Sequence, residues 1–196
     1  MFYSRFNRGL AATIWLLCAG ACVAIITAGL GNAGEFLPLV ILVAWLAWAG
    51  LWLPSLQLGD DEVTIRNVFM TTAVPWATLI QVDTRYALTL VTPHGRYAVT
   101  AAPAPGRLAT ALSHRDMSGI GAPTGSDGGV RPSDLPNTDS GAAAHLVRAR
   151  WETLLAEDRI ELGRADDTPV VRRVNWPVVA ISATLFIGSV LALALG

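Results

Sequence analysis

Three stretches of this chain carry no ionisable side chain, and each is long enough to cross a lipid bilayer: Leu10 to Leu30, Phe36 to Leu53 and Trp176 to Leu195. The first holds 21 residues. At about 1.5 Å per helical residue it reaches about 30 Å, the thickness of a bilayer core. Pro38 and Pro177 are expected in first helical turns, where a missing N–H costs little. Charged residues make up only 15% of the chain, and the deficit is concentrated in these runs. A secretory signal peptide, with Arg5 and Arg8 as its basic end, is the competing reading of the first run. That run is longer than a signal core, and a second apolar run follows after only Gly31 to Glu35. The pattern predicts a two-helix hairpin over 1–53 and a third transmembrane helix over 176–195.

Arginine sets the expected orientation. The chain has 14 basic residues, all Arg, and 12 of them lie between Pro54 and Asn175, while the Gly31–Glu35 loop has none. The positive-inside rule then places the N-terminus and the central region in the cytoplasm and the C-terminus outside, as expected for a multi-pass plasma-membrane protein. Trp52, Trp176, Arg172 and Arg173 fall where the membrane–water interface is expected. Small residues recur every four positions, as Ala12, Gly20, Ala24 and Ala28 in the first run, with Leu16 breaking the series, and as Ala180, Thr184, Gly188 and Ala192 in the third. Such stripes let helices approach closely. Packing within one bundle is the plainer use, and homodimerisation through these faces is the alternative. Trp45, Trp48 and Trp52 line up near one face of the second run and are expected to meet lipid or fill the bundle. Cys18 and Cys22 lie four apart in an apolar helix and read as packing residues.

Between the spans, Leu56 to Ala102 reads as strands. Val63 and Ile65 alternate with Thr64 and Arg66, Leu79 to Val82 reads as a short strand, and Tyr86, Leu88 and Leu90 repeat with period two. Pro93-His94-Gly95 is a turn, so Arg96 to Thr100 closes a hairpin and the sheet is antiparallel. Residues 103–139 hold five prolines and six glycines with few large apolar groups, a composition expected to give a disordered insertion. Ser140 to Ile160 reads as an amphipathic helix capped by Asp139 or Ser140 and ended by Gly163. Val147, Trp151, Leu154 and Leu155 form its apolar stripe, with Arg148, Glu152 and Glu157 facing water. The cytoplasmic domain is therefore expected over 54–102 and 140–163.

The run from Val63 to Trp76, with Arg66-Asn67 followed eight residues later by Pro75-Trp76, resembles the membrane-anchored pleckstrin-homology-like (PH-like) proteins of actinobacteria. Two leading spans and the sheet-then-helix order match as well. The resemblance implies a PH-like antiparallel β-sheet or half-barrel capped by a C-terminal amphipathic helix, so with the three transmembrane helices read from the apolar runs the expected fold class is α+β; the third span and the insertion lie outside the resemblance. It further implies that Trp76 begins a strand with its ring in the core, and that Trp151 packs inward from the helix. Thr71-Thr72-Ala73 departs from the family, where the turn before the Pro-Trp pair is often basic, and this counts against headgroup recognition at that turn.

Function is narrowed by what the residues lack. His94, His114 and His145 are scattered with no ligand spacing, and without lysine there is no phosphate loop. Asp60-Asp61-Glu62 reads as a solvated strand connection. No enzyme activity, metal or cofactor is expected, and a net charge of −1 draws no nucleic acid. The expected role is a scaffold or adaptor that presents the cytoplasmic module to a membrane protein or to lipid, with Arg66, Arg85 and Arg96 as candidate contacts. An accessory or pore subunit of a transport complex is the alternative, although the spans carry no ionisable residue at mid-membrane.

Overall fold

The computed structural model describes residues 1–27, 33–103, 138–160, 163 and 165–195. The chain falls into two compact units. One comprises Met1–Ser4, Ser55–Asn67 and Thr71–Arg172, and the other comprises Arg5–Pro54, Val68–Met70 and Arg173–Gly196.

The helical unit holds three helices long and apolar enough to cross a membrane: α1 (Arg5–Thr27), α2 (Ala33–Trp52) and α4 (Trp176–Leu195). α1 starts five residues before the expected apolar run, because the helix backbone continues through Arg5 and Arg8. Residues 28–32 lie outside the description, including Gly31 and Asn32 of the expected turn, and Ala33 to Glu35 are already helical. Pro38 therefore sits inside α2 rather than in its first turn. The last turn of α2, Trp48–Trp52, widens to a π-helix, with Leu53 N bonded to Trp48 O at 2.9 Å.

α2 packs against both α1 and α4. Its tryptophans fill these contacts. Trp45 Nε1 donates to Ser182 Oγ of α4 at 2.9 Å, and Trp15 Nε1 of α1 donates to the Ala44 carbonyl at 3.0 Å. Trp52 lies 5.3 Å from the Trp15 ring, and the Arg8 guanidinium stacks over it at 4.8 Å. The hydroxyls of Thr184 and Ser189 donate back to Ala180 O and Leu185 O, which keeps them satisfied in an apolar setting. The small-residue stripes are not used inside the bundle. Ala12, Gly20 and Ala24 are exposed, as are Ala180, Thr184 and Gly188, and a Cβ added at Gly20 or Gly188 would meet nothing within 4 Å. The close contacts run instead through Ala11, Trp15, Val178 and Ser182.

The other unit is antiparallel. β1 (Ser55–Leu58), β2 (Glu62–Arg66) and β3 (Met70–Pro75) form a meander in which Val63 faces Leu58 and Val74. β4 (Gln81–Asp83), β5 (Ala87–Thr92) and β6 (Gly95–Pro103) form a second sheet. The expected strand at Leu79 begins two residues later, because Trp76–Thr78 is a 3₁₀ turn that Leu79 N closes onto Trp76 O. Trp76 is thus buried as expected but lies in a turn, not at a strand start. β7 (Val171–Val174) joins the first sheet beside β3, where only a lead into the third span was expected. Its four residues are all exposed, so no alternation marks it as a strand.

α3 (Asp139–Ala156) supplies Val147 and Leu154 to the core, with Trp151 and Leu155 partly buried against it. Its cap is Thr138, whose Oγ1 accepts from Gly141 N at 3.0 Å, and not Asp139 or Ser140. Arg148 does not face water alone, since it donates to Val82 O at 3.1 Å. The helix ends well before Gly163. Asp158 takes φ 54°, Asp158 N bonds to Leu155 O and Arg159 N to Leu154 O, the pattern that glycine usually closes. Asp158→Gly is expected to stabilise the chain by about 0.5–1 kcal/mol, read as a higher urea midpoint for proteolysis of the detergent-solubilised protein. The expected disordered insertion, apart from Pro103 at the end of β6 and Thr138 and Asp139 at the start of α3, lies outside the described residues.

Candidate functional site

Around the β1–β2 turn, local chemistry builds a small hollow. Gly59 N bonds to Glu62 O at 2.9 Å, and a Cβ at Gly59 would lie 2.9 Å from that oxygen, so the tight turn requires glycine. Trp76 clasps the turn with both of its N–H groups: the backbone donates to Asp61 O at 3.1 Å and Nε1 to Gly59 O at 3.2 Å. Arg150 from α3 pairs with the Asp60 carboxylate. Beside this clasp lies a space of about 250 Å³, lined by Asp60, Asp61, Pro75, Trp76, Arg159 and Ile160 among others. Small-molecule sites usually occupy about 300–1,000 Å³, so the hollow suits one side chain better than a cofactor. Reading Asp60 and Asp61 as a solvated connection missed this arrangement. Both are exposed, yet their turn is held by Trp76 and Arg150.

The three candidate arginines are all exposed, and Arg85 and Arg96 lie toward opposite ends of the β5–β6 hairpin. Arg66 ends β2 opposite Ser55 and Thr71. Arg96 pairs with Val91 near the β5–β6 turn, whereas Arg85 precedes β5, whose first residue pairs with Pro103. The stretch of β5 from Ala87 to Val91 separates the end near Arg85 from the level of Arg96, roughly 13 Å at about 3.3 Å per residue. Asn67, beside Arg66, has a different task. Its Nδ2 donates to Ala98 O at 2.8 Å and its Oδ1 accepts from Thr100 N at 2.9 Å, so one amide stands in as a strand partner along β6.

Trp52, Trp176, Arg172 and Arg173 are exposed, with Arg172 and Arg173 adjacent on β7. His94 Nε2 donates to Thr168 O at 2.9 Å, His145 lies on α3, and His114 lies outside the described residues. Among the described residues no three His, Cys, Asp or Glu side chains are grouped to hold a metal ion.

Two antiparallel sheets followed by a packed helix, in a chain with three helices long and apolar enough to cross a membrane, define an α+β fold. Residues 53–115 match the family described as Bacterial PH domain, so the chain carries a PH-like domain. No curated protein and no solved structure matches it.

Proposed function

We propose that this chain is a non-enzymatic, bilayer-anchored adaptor of the plasma membrane, whose PH-like domain faces the cytoplasm and docks a membrane protein at the hollow beside the β1–β2 turn. The observation that carries the reading is the clasped turn itself. Trp76 and Arg150 hold Asp60 and Asp61 at the rim of a space sized for a single side chain, with Arg159 among its lining residues. A basic side chain from a partner would find the Asp61 carboxylate there, beside the Asp60–Arg150 pair. The separation of Arg85 from Arg96 disfavours a phosphate cradle built from the three arginines. Orientation rests on the arginine distribution.

A photo-crosslinking side chain at Ala77, in the full chain in native membranes, tests the reading. A discrete protein adduct that Asp61→Arg removes is expected. Adducts to lipid alone, from Ala77 or from Arg96, would identify a headgroup reader instead.

The exposed stripe on α1 supports homodimerisation as part of the same proposal. A Cβ at Gly20 would meet nothing within 4 Å, so Gly20→Leu is expected to lower dimer crosslinking several-fold in liposomes while leaving the folded monomer intact.

A further inference from the structure

We infer that the tip of the β2–β3 hairpin, with Phe69 at its point, is an interfacial anchor that inserts into the headgroup layer of the bilayer.

Turns between strands usually carry Gly, Asn, Asp or Ser. This one runs Asn67-Val68-Phe69-Met70, and its last three residues belong to the helical unit. Val68 packs against Ala49, Leu53 and Val178, the apolar cluster where the end of α2 meets the first turn of α4. Asn175 fixes the tip from the start of α4. Its backbone N donates to Phe69 O at 2.9 Å and its Nδ2 to Val68 O at 3.2 Å. With Val68 turned in and its carbonyl held, Phe69 is turned out and 51% exposed. Trp176, the residue after the clamp, is 69% exposed, and Val174 is also exposed.

An exposed Phe and Trp at the first turn of an apolar helix continue the lipid-facing surface of that helix. The depth at which a span leaves the hydrocarbon is where aromatic rings gather. The occupant that fits this surface is therefore the bilayer interface. The inference rests on reading the three helices as spans, but not on the docking role of the hollow.

The test uses the full chain, with Cys18 and Cys22 replaced by Ala, in liposomes containing lipids with nitroxide at shallow or deep positions. An environment-sensitive fluorophore is placed in turn at Phe69→Cys, Phe186→Cys in α4, and Tyr86→Cys, which is 87% exposed in the other unit. Phe69→Cys keeps the carbonyl that Asn175 uses. The expected result is blue-shifted emission at position 69, with most of it lost to shallow quencher and less to deep quencher. Position 186 is expected to be quenched by deep nitroxide and position 86 by neither. Water-like emission at 69 with position 186 quenched overturns the anchor while leaving the spans intact. Blue-shifted emission at 69 without lipid quenching means that protein covers the tip, which also overturns it. Loss of quenching at 186 as well removes both the spans and the anchor.

Discussion

Trp76→Ala is expected to unfold the PH-like domain under conditions that leave the native chain folded. Removing a fully buried tryptophan costs about 3–5 kcal/mol through lost transfer energy and the cavity left behind. Trp76 is 2% exposed and packs among Leu56, Val63, Leu79 and Leu88 in the main core. Its loss also removes the indole bond to Gly59 O, worth about 1 kcal/mol net. Domains are stable by only about 5–15 kcal/mol, so this one side chain accounts for a large share. Proteolysis of the detergent-solubilised chain along a urea gradient reads the effect as a fall in the midpoint for cleavage within this domain. Trp76→Phe, which keeps a ring but no N–H, is expected to fall between. Equal midpoints for all three chains would remove Trp76 from the centre of the account.

Leu185→Arg is expected to stop α4 from crossing the membrane in a large fraction of molecules. Leu185 lies midway along a helix of mean hydropathy 2.5 and faces its neighbours only in part. An arginine at the centre of a span costs about 2.5–3.5 kcal/mol on the insertion scale, and the lost leucine contribution adds to that. At about 1.4 kcal/mol per tenfold, the inserted fraction shifts by roughly two orders of magnitude relative to the non-inserted one. A glycosylation-type or phosphatase reporter after Leu195 reads the change as a loss of exterior signal. An unchanged signal would mean that the helix is held by protein rather than by lipid.

The three long apolar helices were legible because uninterrupted apolarity needs no tertiary context to interpret. The β5–β6 hairpin was legible for a similar reason, since period-two apolar positions flank Pro93-His94-Gly95. What could not be read were features that depend on a distant partner. Asn67 is a polar residue at a strand end until β6 arrives to use both ends of its amide. Asp158 closes α3 in a conformation that glycine favours, so the nearest glycine, Gly163, was the misleading choice. β7 has no buried side to alternate with, and hydrogen bonding to the first sheet, not pattern, makes it a strand. The direction of the small-residue stripes, away from the bundle, follows from which faces α2 covers, and no single helix encodes that. The hollow is likewise assembled from a turn, a 3₁₀ segment and the chain after α3. Its one visible signal was the Pro75-Trp76 pair behind an acidic turn.

The central proposal is that three lipid-embedded helices hold the PH-like domain inside the cell. Tyr86→Cys, in a chain whose native cysteines are replaced by alanine, tests it most directly, because this side chain is 87% exposed and lies in the PH-like unit. In intact cells a membrane-impermeant maleimide is expected to leave position 86 unlabelled, and after permeabilisation to label it fully while the chain stays in the membrane pellet through carbonate washing. Labelling before permeabilisation, or release of the chain by carbonate, would contradict the account.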